Sequence, residues 1–410
     1  MRRVVITGMG VVTPLGNDVG TFFDALLAAR SGVKRLGGAG TERLANRVAA
    51  PASFDPAPSF DAAKLRMLDR VSQFALAAAA QAVAAAQAPF EQADLARCGV
   101  SVGTGMGGAH SADEGYRTLY AEGSDRLKPF TVLMAMSNAP ASWIGLEYAL
   151  AGPNLTYSTA CSSSAVAIGE AARRIAAGET DVMIAGGAES CLNLGTLKAW
   201  EALRTLAVED PGDASASCKP FSRDRTGLVL GEGAAMLVLE DRERALARGA
   251  TIHAELAGYG VVTDTTHITR PSVEGQAAAL QAALANARMS PADIGYINAH
   301  GTGTQANDGV ETAAIRKIFR DRASQIPVSS TKSMHGHLLG AAGAVELVAS
   351  VVAMQRGIVP PTRNLKVPDP ECDLDYVAEG SRKVAGLEAV LSSSFAFGGT
   401  NAVLIARKDS

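Results

Sequence analysis

The sequence predicts an α/β fold, and three observations predict it. Short β-branched runs alternate with Ala-rich helical runs from end to end. Many of the β-branched runs close on glycine: Gly8-Met-Gly10, Gly103-Thr-Gly-Met-Gly-Gly108, Gly186-Gly187, Gly301-Thr-Gly303 and Gly398-Gly399. Hydrophobic residues make up 47% and charged residues 19%, so the chain can bury a large core. The alternation argues for helices layered on buried, mainly parallel strands.

In chain order, Val4-Val-Ile-Thr7 gives a first strand at 3–7, and helical runs follow at 21–29 and 67–86. The second of these is mostly alanine, broken by Gln81, and too weakly apolar to span a bilayer. Strands follow at 99–102 and 155–159, then a small-residue helix at 162–177. Strands at 181–185, 235–240 and 251–259 precede a helix at 274–287. A strand at 296–299, a helix at 309–319, a strand at 328–330 and a helix at 341–356 come next. Strands at 390–394 and 402–406 close the chain. The polar stretch 209–217 reads as a surface loop. A soft boundary after Asp241-Arg-Glu-Arg244 divides the chain into halves 1–250 and 251–410, with no sequence repeat between them. Ligands in open α/β sheets sit beyond the carboxyl ends of strands, so the glycine turns are where a site should assemble.

A net charge of -3 gives no reason to expect nucleic-acid binding. Five cysteines, Cys98, Cys161, Cys191, Cys218 and Cys372, form no C-x-x-C pair and no metal-like spacing, which fits a reducing cytoplasm. The basic start and short apolar run at the N-terminus lack the h-region of a signal peptide. Gly8-Met-Gly10 is followed by Val-Val-Thr, so the dinucleotide fingerprint is not completed.

Cys161 ends the run Asn154-Leu-Thr-Tyr-Ser-Thr159 and opens the helical stretch Cys161-Ser-Ser-Ser-Ala. A thiol at such a corner faces unpaired backbone N–H groups and a helix dipole, both of which lower its pKa. The six histidines add to this. His300 follows a strand in Asn298-Ala-His-Gly-Thr-Gly-Thr304. His335 and His337 lie in Ser330-Thr-Lys-Ser-Met-His-Gly-His-Leu-Leu-Gly340. His110 and His267 fall in loops and His253 in a strand. No carboxylate or thiol stands at ligand spacing from His335 and His337, so metal binding is not expected. A cysteine peptidase needs one histidine. A second one suits chemistry that builds negative charge on a carbonyl away from the thiol, such as the enolate left by decarboxylation of a malonyl thioester.

Thr159-Ala-Cys-Ser-Ser163, Asn298-Ala-His-Gly-Thr-Gly-Thr304, the run from Ser330 to Gly343 and Phe395-Ala-Phe-Gly-Gly-Thr-Asn401 resemble the active-site blocks of the elongating, type II bacterial β-ketoacyl-[acyl-carrier-protein] synthases. The N-terminal Val5-Ile-Thr-Gly-Met-Gly-Val-Val-Thr-Pro-Leu-Gly16, Asp181-Val-Met-Ile-Ala-Gly-Gly-Ala-Glu189 and Gly227-Leu-Val-Leu-Gly-Glu-Gly233 extend the match over the whole chain. The resemblance implies the thiolase fold, two similar mixed-sheet halves in five α-β-α-β-α layers, working as a dimer.

It also implies decarboxylating Claisen condensation of an acyl-enzyme with malonyl carrier protein, without metal or organic cofactor. Cys161 would accept the acyl group, and His300 and His337 would serve decarboxylation. Lys332 would hold a charged network with Asp308, Glu311 and Glu346. Thr302 and Thr304 would contact the pantetheine arm. Phe397 would gate the acyl pocket, its N–H forming the oxyanion hole with that of Cys161. The expected partners are acyl carrier protein and a second subunit, either an identical chain or one resembling a chain-length factor, with no nucleic acid and no membrane span.

Three positions depart from primary-metabolism members: His335 where Thr is usual, Ala396 where Gly is usual, and Thr226 where Asp is usual. Met-His-Gly-His and Ala-Phe-Gly-Gly are closer to specialised ketosynthases, such as those for nodulation lipids and aryl polyenes. This gives an alternative role, a specialised ketosynthase with a non-identical partner.

Overall fold

The computed structural model describes residues 1–409 other than 39, 88 and 92. Ten strands form the main sheet. They are β1 Val4–Val12, β2 Cys98–Gly103, β3 Asn154–Tyr157, β4 Val182–Glu189, β5 Gly233–Asp241, β6 Ala254–Thr263, β7 Tyr296–Asn298, β8 Val328–Ser329, β9 Ala389–Phe395 and β10 Thr400–Arg407. Their order is β8-β7-β9-β10-β6-β1-β5-β4-β2-β3. Only Val5↔Glu255 and Ile6↔Ala254 join β1 to β6, so the sheet is two five-stranded halves meeting at a narrow seam.

The halves repeat one topology. In each, the second strand runs parallel to the third and fourth, and the fourth and fifth and the fifth and first are antiparallel. The mainly parallel sheet read from the residues is therefore corrected to a mixed one. The loop between Phe395 and Thr400 is too short for a crossover, so β9 and β10 must form a hairpin.

Five layers follow from where the helices pack. Arg70–Ala85 covers the outer face of β1 and β5, and Val273–Ala287 the outer face of β6. Ser163–Ala176 and Ala342–Arg356 lie between the half-sheets and touch each other. A Cβ on Gly343 would come within 3.0 Å of the Cβ of Ala165, so glycine sets that close approach. The segment Leu339–Arg356 is long and apolar enough to cross a membrane, but 89% of it is buried, as suits the core helix it is. Asp69 and Ser272 cap the two outer helices, accepting from Val71 N–H and Gly275 N–H.

Gly8-Met-Gly10 is no turn: it lies inside β1. A Cβ on Gly8 would meet the Ala82 carbonyl at 2.0 Å, and one on Gly10 the Ala78 carbonyl at 2.1 Å. Gly258 and Gly260 do the same in β6, against the carbonyls of Ala283 and Ala279 at 2.7 and 2.5 Å. Gly8-Met-Gly-Val-Val12 and Gly258-Tyr-Gly-Val-Val262 are thus equivalent segments of the two halves, a short repeat visible only once the topology aligns them. Gly186-Gly187 likewise lies within β4.

Candidate active site

Cys161 follows β3 in the short turn Ala160–Ser162 and precedes the central helix Ser163–Ala176. Ala160 takes φ 50, a left-handed conformation uncommon for a residue with a Cβ. The corner is held by Ser163, whose Oγ accepts from Thr159 N–H at 2.9 Å and donates to the Ala160 carbonyl at 2.7 Å. The second half carries its counterpart in Leu339, φ 44, ahead of the other central helix.

Across the interface between the halves, His337 Nε2 lies 3.0 Å from Cys161 Sγ. Its Nδ1 accepts the Leu339 N–H at 3.2 Å, which places the ring proton on Nε2, facing the sulfur. His300 stands edge-on to His337, with ring centroids 5.4 Å apart. Lys332 Nζ approaches His300 Nδ1 at 3.4 Å, and since an ammonium only donates, His300 also keeps its proton on Nε2. The sulfur and a ring nitrogen of each histidine lie within 4.8 Å of one another. That spacing would admit a metal ion, but a protonated nitrogen is no ligand, and the Leu339 N–H and Lys332 ammonium oppose the other tautomer. The arrangement is instead a receptor for developing negative charge, with two N–H donors beside a thiol.

Electrostatics agree. Burial, then the Lys332 charge, holds both His300 and His337 well below the ordinary histidine range, so each is a neutral donor at pH 7. Burial pushes the Cys161 thiol up to about 12, partly offset by Lys332 and the Phe397 N–H. Burial and the corner's N–H groups thus act on this thiol in opposite directions, and the sequence reading saw only the second.

Lys332 forms a fully buried ion pair with Glu346. Asp308 and Glu311, expected in the same network, make no ion pair with Lys332 among the described residues, but the Lys332 charge acts on Glu311 and Asn307 donates to both carboxylates. Glu311 accepts the N–H groups of His300 and Gly301, both at 2.7 Å, and Asp308 accepts those of Phe221 at 2.8 Å and Gly303 at 3.2 Å. They shape the loop that presents His300, because carboxylate oxygens satisfy backbone donors that the end of β7 leaves unpaired. Arg225, buried beside Asp308, steadies the same loop by donating to the Thr304 carbonyl at 3.1 Å.

A cavity of about 230 Å³ reaches this group. Cys161, His300, His337, Thr302, Thr304 and Phe397 all line it. His335 lies apart: it donates from Nδ1 to the Gly336 carbonyl at 2.8 Å, accepts from Thr331 Oγ1 at 2.9 Å and packs on Phe22. Thr226 is exposed, and its hydroxyl accepts from Val208 N–H at 3.0 Å.

Sequence reasoning missed Glu189. It accepts from Gly105, Met106 and Gly340 N–H at 2.7, 3.0 and 2.9 Å, tying the end of β2 to the turn after His337. A lone glutamate closing an apolar strand, Gly186-Gly-Ala-Glu189, was the available signal. Trp200, stacked on Phe397, gave none.

These buried groups set a pH dependence. His300, His335 and His337 are neutral in the fold, with His335 pushed down to about 3, whereas the unfolded chain protonates them near 6.5. The fold then binds fewer protons, so each costs stability as pH falls below 6.5. Glu189, Glu311 and Glu346 are pushed up to about 7 by burial, against 4.5 unfolded. The fold binds more protons there, so each contributes stability as pH falls from 7 to 4.5. The two sets cancel between about 4.5 and 6.5. Below 4.5 the histidine effect continues, about 1.4 kcal/mol per pH unit each, and the loss deepens as Asp181 and Asp210, held down to about 2 by Arg97 and Lys219, begin to protonate. Unfolding midpoints should be level from pH 6.5 to 5 and drop steeply below 4.5. A steady decline starting at 6.5 would mean the glutamates are ionised in the fold.

Two family profiles match the chain: "Beta-ketoacyl synthase, N-terminal domain" over residues 1–245, and "Beta-ketoacyl synthase, C-terminal domain" over residues 253–366. The chain is 44% identical over 403 residues to nodulation protein E of Rhizobium meliloti (strain 1021), covering 98% of each. It is 42% identical over 407 residues to 3-oxoacyl-[acyl-carrier-protein] synthase 2 of Coxiella burnetii, again covering 98% of each. Among solved structures it is similar to the ishigamide ketosynthase/chain length factor, with a TM-score of 0.93, 33% identity and 100% of both chains covered.

Proposed function

Because the chain belongs to the β-ketoacyl synthase family and is thus a condensing acyltransferase, we propose that Cys161 carries the acyl group, that His300 and His337 drive decarboxylation of a malonyl thioester, and that acyl carrier protein delivers both substrates. The observation that carries this reading is the pair of neutral Nε2–H donors set beside the thiol.

In the first stage Sγ attacks the acyl thioester carbonyl, whose oxyanion is held by the N–H groups of Cys161 and Phe397. The pantetheine sulfur leaves and takes the thiol's proton, so the exchange needs no outside base. In the second stage the malonyl carbonyl accepts from His300 and His337 as carbon dioxide departs and the electron pair becomes an enolate. The enolate carbon attacks the acyl-Cys161 carbonyl. That attack forms the new C–C bond, and collapse of the tetrahedral intermediate breaks the C–S bond and releases Cys161 as a thiolate, which is met by His337 Nε2–H and regains a proton from water.

Lys332, paired with Glu346, keeps His300 from protonating, and Asp308 and Glu311 hold the His300 loop. Thr302 and Thr304, in the cavity wall, receive the pantetheine arm. We place the division between the halves near residue 250, and a catalytic thiol suits a reducing cytoplasm.

A second subunit belongs on the β3 side. β3 ends the sheet, one edge unpaired among the described residues. The preceding segment exposes Tyr116, Tyr120, Phe130, Val132, Leu133 and Met136. An open edge beside an apolar surface favours a partner. The relative described as ketosynthase/chain length factor supports a non-identical one, alongside an identical chain.

Intact-mass measurement after mixing with acyl carrier protein tests the reading. An acyl adduct on Cys161, followed by a 3-oxoacyl product and carbon dioxide when malonyl carrier is added, is expected. A chain that never takes up an acyl group would be a silent partner subunit.

A further inference from the structure

Of the buried histidines, His300 and His337 line the cavity and His335 does not. Burying an imidazole costs free energy unless both nitrogens find partners, and here both do. The Gly336 carbonyl, 2.8 Å from Nδ1, can only accept, so that nitrogen carries the proton and Nε2 accepts from Thr331 Oγ1 at 2.9 Å. Thr331 is anchored in turn by Asn298, whose amide donates to the same hydroxyl oxygen at 3.4 Å. Burial and the Lys332 charge push His335 down to about 3, so the ring stays neutral at pH 7. The carbonyl it holds belongs to the peptide from which His337 springs. Gly336 lies at φ 72 and ψ -175, a region essentially closed to residues with a Cβ. Glycine reaches many other conformations as readily, so the contacts around residue 336 must select this one. Its N–H donates to the Lys332 carbonyl at 2.9 Å, the His337 N–H donates to the Val229 carbonyl at 2.6 Å, and the His335 ring takes the carbonyl between them.

We propose that His335 is a positioning residue for decarboxylation: by holding the Gly336 carbonyl it fixes the peptide that aims His337 Nε2–H at the enolate oxygen. The inference rests on the reading of His337 as an enolate donor given above. A preorganised donor is effective when its place is set to within about 0.5 Å before the charge develops. Rotation of the Gly336–His337 peptide would swing the ring away from Cys161 Sγ, which now lies 3.0 Å from Nε2. The usual threonine carries one hydroxyl on a shorter side chain, and so lacks two separate atoms to span Thr331 and the Gly336 carbonyl. Misplacing His337 weakens a contact made in the transition state, so kcat should fall while KM for malonyl carrier stays level.

The test measures carbon dioxide release from malonyl carrier protein by enzyme already acylated on Cys161. His335→Phe keeps a ring against Phe22 but donates nothing, and its kcat should fall about tenfold, the scale of one hydrogen bond, with KM unchanged. His335→Asn, whose amide N–H takes the place of Nδ1–H, should recover most of the rate. His335→Gln, which reaches toward Thr331 instead of back to Gly336, should not. Equal rates for the Asn and Gln variants, or losses that follow the unfolding midpoint, would overturn the proposal. A second measurement places His335→Phe in the His337→Ala background, where it should cost nothing further. A further tenfold loss there would mean that His335 does not act through His337, and would overturn the proposal as well. Wild-type enzyme that takes up the acyl chain yet releases no carbon dioxide would instead remove the reading of His337 as an enolate donor.

Discussion

Replacing Cys161 with alanine should abolish acyl transfer and condensation, a loss on the order of 10⁴-fold or more, because the covalent step has no second carrier. The other four cysteines cannot substitute. Cys98, Cys191, Cys218 and Cys372 are all buried, and none lines the cavity that Cys161 shares with His300 and His337. Alanine also fits the corner without strain, since the left-handed residue is Ala160 and the turn is held by Ser163. The variant should therefore fold with an unchanged unfolding midpoint. Cys161→Gln should behave differently. Its side-chain amide places a carbonyl where the acyl thioester would sit, within reach of the Phe397 N–H, and mimics the loaded enzyme. Malonyl carrier should then lose carbon dioxide steadily while no longer chain forms. Acyl adduct mass and carbon dioxide release, measured on both variants, separate the two stages. Elongation by Cys161→Ala would mean that the nucleophile is misassigned.

Much of the architecture was legible because it depends on local pattern. Periodic runs located six of the helices and the ten sheet strands, though the first strand runs on to Val12 and the helices Ala109–Tyr116, Ala139–Glu147 and Leu194–Ala202 were not read, and a thiol and two histidines after strands pointed to one site. What was not legible depends on partners distant in sequence. The glycines of Gly8-Met-Gly10 look like a turn until the helix that needs their bare backbone is packed above them. Strand direction was misjudged because periodicity marks burial and says nothing about orientation. The thiol was given a lowered pKa because the corner is visible in sequence and the depth of burial is not. Asp308 and Glu311 were placed around Lys332 by the resemblance; that they also accept the backbone N–H groups of His300, Gly301 and Gly303 depends on a loop path that the sequence does not show.

The two histidines should prove unequal. His300→Ala and His337→Ala each remove one of the two N–H donors to the enolate, and losing one preorganised donor costs about 2.7–4 kcal/mol of barrier, roughly 10²–10³ in rate. Decarboxylation by either variant should fall by that much. His337 also meets Cys161 Sγ at 3.0 Å, whereas His300 is turned toward Lys332 through its other nitrogen. His337→Ala should therefore slow acylation as well, while His300→Ala leaves acylation nearly intact. Both rings work as neutral donors, and their pKa values lie well below 6.5, so decarboxylation should stay level from pH 6 to 8 instead of following a histidine titration. His300→Asn and His337→Asn, which restore an N–H, should recover part of the lost rate where alanine does not. Pre-loading each variant with an acyl group and timing carbon dioxide release isolates the second stage. A variant that decarboxylates normally but cannot be acylated would place its histidine with the thiol instead of the enolate. A rate that rises and falls around pH 6.5 would mean that a ring takes up a proton during turnover, and the role of Lys332 in keeping His300 neutral would fall with it.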